Sequence, residues 1–154
     1  EITGIDIIVL LIGVSIQLIL IEDDEVDAEA IERACRQRNV NCEIVRYRDG
    51  REALDALHGA FGGSLITRPF LIVLDLNLPR LDGIAFLDDL RADPIWRRSI
   101  VFVLTTSTRE EDTAAAYDRR VAGYLIKEQL GPDYTALCDL LDVYEKSVQF
   151  PIAN

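Results

Sequence analysis

The sequence predicts an α/β fold, a doubly wound parallel sheet of five strands with helices on both faces. Five short apolar runs rich in β-branched residues are typical of strands, and segments with helical spacing lie between them. Turn-forming residues separate the two kinds of segment. Strands that alternate with helices indicate βαβ units, whose strands lie parallel in one sheet.

The predicted strands follow the apolar runs in chain order. The third run is apolar at every position, as expected of a strand buried on both faces of a parallel sheet. The five predicted strands are Gln17–Ile21, Cys42–Tyr47, Phe70–Leu74, Ile100–Leu104 and Gly123–Ile126. We expect an apolar N-terminal extension at residues 1–16, one domain at 17–148 and a tail at 149–154.

Each predicted helix has apolar residues three or four positions apart, which places them on one face. These residues are Ala28, Ile31 and Cys35; Leu54 and Leu57; Phe86, Leu87 and Leu90; Ala114 and Tyr117; and Tyr134, Leu137, Leu141, Tyr144 and Val148. Asp-Gly pairs at Asp49 and Asp82 fall where helices should start, and Asp133 is the expected N-cap of the last helix.

Composition excludes several classes of function. The formal net charge of −11 repels phosphate backbones and anionic lipids, so we expect no binding to nucleic acid. Three cysteines without paired spacing predict free thiols rather than a zinc site, and they favour a reducing, cytoplasmic location. We expect the single histidine, His58, to be a solvated surface residue.

The N-terminal segment Ile5–Ile21 is almost wholly apolar, but we do not expect it to cross a membrane. Its last residues belong to the first predicted strand, and the remaining Ile5–Val14 is much shorter than the roughly 20 residues of a spanning helix. The first basic residue is Arg33, which argues against a signal peptide. Because the chain starts with Glu1 and contains no methionine, we expect a processed or truncated product.

Polar groups follow four of the predicted strands. In a parallel sheet with right-handed crossovers all carboxyl ends lie at one edge, where ligands bind. The groups are Glu22, Asp23 and Asp24; Asp75; Thr105 and Thr106; and Lys127. Clustered carboxylates favour a hard cation such as Mg²⁺, and a lysine with a hydroxyl would hold phosphoryl oxygens. Asp75 could then act as the nucleophile of a phosphoryl transfer.

Each of these groups alone has an ordinary alternative. An acidic run such as Glu22–Asp24 often caps a helix or lies in a solvated turn. Thr105 alone would be a common strand-end residue, and Lys127 alone a surface charge. The functional interpretation depends on four strand ends that carry complementary groups to one edge.

Together these segments resemble the receiver domains of two-component response regulators over about Gln17–Val148. The resemblance implies a flavodoxin-like fold with strand order 2-1-3-4-5. Four motifs carry it: Ile19-Leu20-Ile21-Glu22-Asp23-Asp24, Ile72-Val73-Leu74-Asp75-Leu76-Asn77-Leu78-Pro79 with Asp82-Gly83, Val103-Leu104-Thr105-Thr106-Ser107, and Gly123-Tyr124-Leu125-Ile126-Lys127.

The resemblance implies that Asp75 accepts a phosphoryl group from a histidine kinase. Asp23, Asp75 and the backbone carbonyl of Asn77 would coordinate Mg²⁺, with Glu22 acting largely through water. Such a protein is not an enzyme beyond self-phosphorylation from small donors and autodephosphorylation.

The resemblance also implies roles for residues around the phosphoryl group. Thr105 and Lys127 would bind its oxygens. Tyr124 would be an aromatic switch that turns inward as Thr105 moves, and Ser107 with Asn77 would tune the dephosphorylation rate.

One departure concerns the loop after the fifth strand, where Glu128 follows Lys127 and the family usually has proline. A cis peptide there would cost about 2.5 to 4 kcal/mol without proline, so we expect a trans or rearranged loop. The Leu-Thr-Thr-Ser strand end and the long loop before the third strand resemble single-domain regulators paired with bacterial phytochromes.

Because only Phe150–Asn154 follow the last helix region, we expect a stand-alone regulator that signals through protein contacts. The apolar ends, Ile5–Val14 and Phe150–Ile152, predict a homodimer. Two alternatives remain open at this point. One is a receiver-like interaction module that never takes phosphate, and the other is a Mg²⁺-dependent phosphohydrolase, disfavoured because Asn77 stands where a second aspartate would be expected.

Overall fold

The computed structural model describes residues 16–38, 40, 42–59, 66 and 69–151. These residues form alternating strands and helices. The strands are β1 (Ile16–Ile21), β2 (Cys42–Tyr47), β3 (Phe70–Leu74), β4 (Val101–Thr105) and β5 (Gly123–Ile126). The helices are α1 (Glu25–Gln37), α2 (Gly50–His58), α3 (Gly83–Ala92), α4 (Glu110–Asp118) and α5 (Thr135–Ser147), with a 3-10 helix at Lys127–Gln129.

The sheet has the predicted topology. Its order is β2-β1-β3-β4-β5, and every neighbouring pair is parallel. The strand order reverses between β1 and β3, so the segments that follow these two strands diverge and leave a crevice between them. The loops that carry the predicted site residues all leave from this edge.

Every residue of β1 and β3 is buried, which explains their continuous apolar runs. Ile19 and Ile21 pack with α2, α3 and α4 on one face of the sheet. Leu18 and Leu20 pack with α1 and α5 on the other face. The predicted core residues of α1, α2 and α3 are confirmed as buried.

Two predictions about the helices are wrong, one about a buried face and one about an N-cap. In α4 the buried residue is Ala116, whereas Ala114 is exposed and Tyr117 is 51% exposed. In α5 the N-cap is Tyr134, not Asp133. Asp133 instead uses its side chain to accept a hydrogen bond from the backbone N–H of Thr135, at 3.2 Å.

Smaller details also differ from expectation or extend it. β4 begins at Val101 and includes Thr105 as its last residue. The cysteines are free thiols, and the Sγ atoms of Cys35 and Cys138 lie 3.5 Å apart between α1 and α5. His58 is 54% exposed, with Nε2 3.2 Å from Asp93.

Several predictions concern residues outside the described ones. These are the apolar segment Ile5–Val14, most of the loop before β3 and the residues after Pro151. Among the residues that are described, no helix has the length and apolar character needed to cross a membrane.

Gly83, the first residue of α3, packs directly on the segment that carries Asp75. A Cβ atom at this position would lie 2.5 Å from the backbone oxygen of Asp75 and 2.7 Å from Leu76 Cα. The neighbouring atoms belong to the backbone and cannot rotate away. The absence of a side chain therefore lets the helix fix the position of the segment after β3.

We expect Gly83→Ala to lower the free energy of unfolding by about 1 to 3 kcal/mol, because overpacking outweighs the better helix propensity of alanine. Urea denaturation would measure the change. Gly59→Ala is the matched control, since its new Cβ would meet its nearest atom at 3.3 Å. Equal losses in the two variants would contradict the proposed close packing.

Candidate metal and phosphoryl site

Glu22 and Asp23 follow β1 at the crevice. The backbone N–H of Glu22 donates to Tyr47 O at 3.0 Å and so continues the pairing of β1 with β2. The Glu22 side chain is buried, and its Oε1 accepts a hydrogen bond from Asp24 N at 3.1 Å. Asp23 is exposed, while Asp24 caps α1 by accepting from Asp27 N at 3.0 Å.

Asp75 follows β3 on the other side of the crevice. Its backbone N–H donates to Ile21 O at 3.0 Å, which extends the pairing of β1 with β3 by one residue. The side chain is 8% exposed, and its Oδ1 accepts a long hydrogen bond of 3.3 Å from the backbone N–H of Asn77. Asp75 therefore lies at the floor of the crevice, with Asn77 on the loop above it.

The acids of these two loops have the chemistry of a divalent-cation site. Carboxylate oxygens of Glu22, Asp23 and Asp75 all lie within 4.8 Å of one another. Among the described residues, Glu22 Oε2 is one of two buried side-chain atoms without a hydrogen bond. Burial raises the pKa of Glu22 to about 7, and the charge of Asp75 adds to this effect. A hard cation would relieve the repulsion, so these residues fit Mg²⁺.

Lys127, the first residue after β5, brings an ammonium group to the same cluster. Its Nζ lies 2.9 Å from Glu22 Oε2 and 3.5 Å from Asp75 Oδ2. The contact with Glu22 has the distance of an ion pair but lacks hydrogen-bond alignment. Burial lowers the pKa of Lys127, but the hydrogen bond to Asp27 and the negative charges of Glu22 and Asp75 outweigh burial, so its pKa lies above the ordinary value.

Thr105, Ser107 and Tyr124 form a connected group at the end of β4. Thr105 is fully buried and pairs with Ile126, the residue before Lys127. Its Oγ1 accepts a 3.3 Å hydrogen bond from the backbone N–H of Ser107. The hydroxyl of half-buried Tyr124 donates to Ser107 O at 3.1 Å, and the Ser107 hydroxyl donates to Asp112.

Two further residues belong to this site that the sequence motifs did not assign to it, Asp27 and Tyr134. Asp27 lies in the first turn of α1 and places Oδ2 2.8 Å from Lys127 Nζ. Its Oδ1 accepts a 3.0 Å hydrogen bond from the Tyr134 hydroxyl. A signal was present, because Asp27 stands four residues after Asp23, one helical turn above the acidic edge.

The arrangement combines a buried carboxylate, a second pair of acids and a lysine at the reversal point of a parallel sheet. Such an arrangement has the chemistry to hold a divalent cation beside a carboxylate oxygen. Comparison with known sequences gives the family. The sequence profile of the response regulator receiver domain matches residues 18–136. The chain belongs to this family.

Relatives of this receiver domain include phytochrome response regulators. It is 36% identical over 114 residues to the response regulator Rcp1 of Synechocystis sp., which covers 73% of this chain and 76% of Rcp1. The structure of the phosphorylated cyanobacterial phytochrome response regulator RcpA superposes with a TM-score of 0.75 at 32% identity, covering 90% of this chain and 100% of RcpA.

A metal-bound relative is also similar. The Mn²⁺-bound form of response regulator Rcp1 superposes with a TM-score of 0.70 at 30% identity, covering 88% of this chain and 99% of that one. The predicted membership of the receiver family and the predicted fold are confirmed. The roles of individual residues stay predictions.

Proposed function

We propose that this receiver domain accepts a phosphoryl group on Asp75 from the phosphohistidine of a histidine kinase, in a Mg²⁺-dependent reaction. A carboxylate oxygen of Asp75 attacks phosphorus, and the phosphorus–nitrogen bond of the donor breaks. The leaving imidazole keeps the electron pair of that bond. The observation that carries the proposal is the juxtaposition of buried Asp75 with Glu22, Asp23 and Lys127.

Asp23, Asp75 and the backbone carbonyl of Asn77 would hold the Mg²⁺ ion, with Glu22 acting largely through water. When bound, the ion would neutralise charge on the carboxylates and the transferred phosphoryl oxygens. Burial of Glu22 and Asp75 limits the access of bulk solvent to the nucleophile. It also fixes the orientation of Asp75, because Asp75 N remains bonded to the backbone of β1.

Lys127 and Thr105 would bind the phosphoryl oxygens that face away from the metal. Lys127 Nζ is within 3.5 Å of Asp75 Oδ2 and so needs little movement to reach a phosphoryl group on that oxygen. The Thr105 hydroxyl donates to a phosphoryl oxygen once it turns toward Asp75. Both residues lie at the ends of strands rather than on long loops, which favours a preorganised site.

Movement of Thr105 would reach Tyr124 through Ser107. The backbone N–H of Ser107 bonds to Thr105, while its carbonyl accepts from the Tyr124 hydroxyl. A shift of Thr105 would therefore disturb the hydrogen bond that holds the Tyr124 hydroxyl. Asn77 and Ser107 would flank the phosphoryl group and tune the rate of its dephosphorylation.

We further propose a stand-alone regulator that passes its signal through protein contacts, with a phytochrome kinase as the class of donor suggested by its relatives. A homodimer through the apolar ends belongs to the same proposal. Phe150 packs edge-on against Tyr144 of its own chain, with centroids 6.3 Å apart, which leaves Ile5–Val14 as the stronger candidate. Size exclusion with light scattering on versions lacking each end tests it, and a dimer that survives both deletions would overturn it.

Intact-mass measurement after incubation with acetyl phosphate tests the phosphoryl proposal. We expect one added phosphoryl group in Mg²⁺ and none after chelation with EDTA. An absence of adduct with acetyl phosphate and with a cognate kinase would favour an inert interaction module. Turnover of small phosphoesters would instead favour a phosphohydrolase.

Asp23→Asn tests the metal site separately. Because Asp23 would supply a charged ligand oxygen, we expect the Kd for Mg²⁺ to rise by at least about 10- to 100-fold, the loss that follows even when only a group supporting a ligand is removed. Isothermal titration calorimetry measures this Kd. Asp24→Asn is the control, since Asp24 caps α1 and asparagine caps equally well. A similar loss of affinity in both variants would argue against direct ligation by Asp23.

A further inference from the structure

Asp27 binds the lysine of the proposed site more closely than Asp75 does. Lys127 Nζ lies 2.8 Å from Asp27 Oδ2 and 3.5 Å from Asp75 Oδ2. The Lys127 side chain is 10% exposed, and that of Asp27 is 29% exposed. The ion pair thus lies at the wall of the crevice, where water screens it less than on the surface.

The second oxygen of Asp27 binds the far end of the loop that begins at Lys127. The hydroxyl of Tyr134 donates to Asp27 Oδ1 at 3.0 Å. Tyr134 is 6% exposed and packs with the core between α1 and α5. One carboxylate on α1 therefore binds the residue at the end of β5 and the residue that precedes α5.

The loop from Lys127 to Tyr134 has an irregular backbone. Lys127–Gln129 form a 3-10 turn in which Leu130 N donates to Lys127 O at 3.2 Å. Gly131 has φ of 82°, and Tyr134 has φ of 56°, in the left-handed region that a side chain disfavours. At position 128 this turn has a glutamate, so no proline ring restricts its backbone there. The hydrogen bond from the Tyr134 hydroxyl to Asp27 holds the end of this loop against α1.

We propose that Asp27 and Tyr134 are positioning residues that together hold the Lys127 ammonium beside Asp75. Tyr134 fixes the Asp27 carboxylate through Oδ1, and Asp27 fixes Lys127 through Oδ2. The inference rests on the proposed phosphoryl transfer for its functional consequence. Whether Asp27 holds Lys127 in place does not depend on phosphoryl transfer and can be measured separately.

Chemical labelling tests the placement without any phosphoryl group. The chain has two lysines, Lys127 and Lys146, and the side chain of Lys146 is 70% exposed. A brief pulse of an amine-acetylating reagent followed by peptide mass spectrometry gives the ratio of their reactivities. We expect Asp27→Ala to raise labelling of Lys127 relative to Lys146 about tenfold, because the amine loses a carboxylate partner 2.8 Å away, and Tyr134→Phe to raise it less. An unchanged ratio in both variants would overturn the proposal.

Kinetics then tests whether placement matters for transfer to Asp75. With acetyl phosphate and saturating Mg²⁺, we expect Asp27→Ala to slow phosphorylation about tenfold and Tyr134→Phe to slow it by a smaller factor. Both effects should vanish in a Lys127→Met background, because residues that act through one partner are not additive. Persistence of the full effect in that background would show a role that does not pass through Lys127, and would overturn the proposal.

Matched controls separate these outcomes from general damage. Glu29→Gln removes one carboxylate from an exposed position of α1. Tyr117→Phe removes the hydroxyl of an exposed tyrosine in α4. Neither should change the labelling ratio or the rate. If the wild-type protein takes no phosphoryl group at all, the proposed function fails, while the labelling ratio still decides whether Asp27 holds Lys127.

Discussion

Asp75→Asn is expected to abolish the phosphoryl adduct. The amide has nearly the shape of the carboxylate, so the backbone pairing of this residue with β1 should persist. It lacks the anionic oxygen that attacks phosphorus, and an amide is a very poor nucleophile in its place. Intact mass after incubation with acetyl phosphate and Mg²⁺ should therefore equal the mass before incubation.

Asp89→Asn is the matched control for this loss. Asp89 is an exposed residue of α3, and its change removes the same charge from the chain. We expect its adduct to form at the wild-type rate. If the adduct survives in Asp75→Asn, another nucleophile accepts the phosphoryl group, and fragmentation of the labelled peptide would locate it.

Lys127→Met is expected to slow phosphorylation about 100-fold, since removal of one preorganised group that stabilises transition-state charge typically costs 10² to 10³ in rate. The affinity for Mg²⁺ should instead increase. The substitution leaves Glu22, Asp23 and Asp75 without the ammonium that partly neutralises them, so a divalent cation should bind more tightly. Stopped-flow kinetics and calorimetric titration measure the two effects separately.

Lys146→Met is the control, because it removes the other lysine from an exposed position near the end of α5. It should leave both the rate and the Mg²⁺ affinity unchanged. A parallel fall of rate and metal affinity in Lys127→Met would mean that the lysine supports the metal site rather than the phosphoryl group. That result would contradict its proposed role.

The strands and the acidic edge were predictable because their signals are local. A strand buried on both faces reads as an uninterrupted apolar run, and an acid at its end is conspicuous, as at Asp75. Parallel topology then brings the strand ends together with little freedom. The position of Lys127 near the acids follows from the same rule.

The wrong or missing predictions concern features that depend on packing and on contacts between distant parts of the chain. In α4, Ala114, Ala115 and Ala116 are consecutive, and only packing against the sheet decides which of them is buried. Asp27 was overlooked because its two partners are 100 and 107 positions away in the chain. Tyr134 adopts a left-handed backbone that no sequence pattern suggests for tyrosine.

The two helices that flank the central strands are anchored to very different extents. α3 buries Gly83, Phe86, Leu87 and Leu90, and its first residue lies against the backbone of Asp75. α4 buries Ala116 alone. Displacing α4 would therefore expose little apolar surface, whereas lifting α3 would open the core. A change at the crevice should therefore displace α4 more readily than α3. Amide hydrogens of α4 should also exchange faster than those of α3.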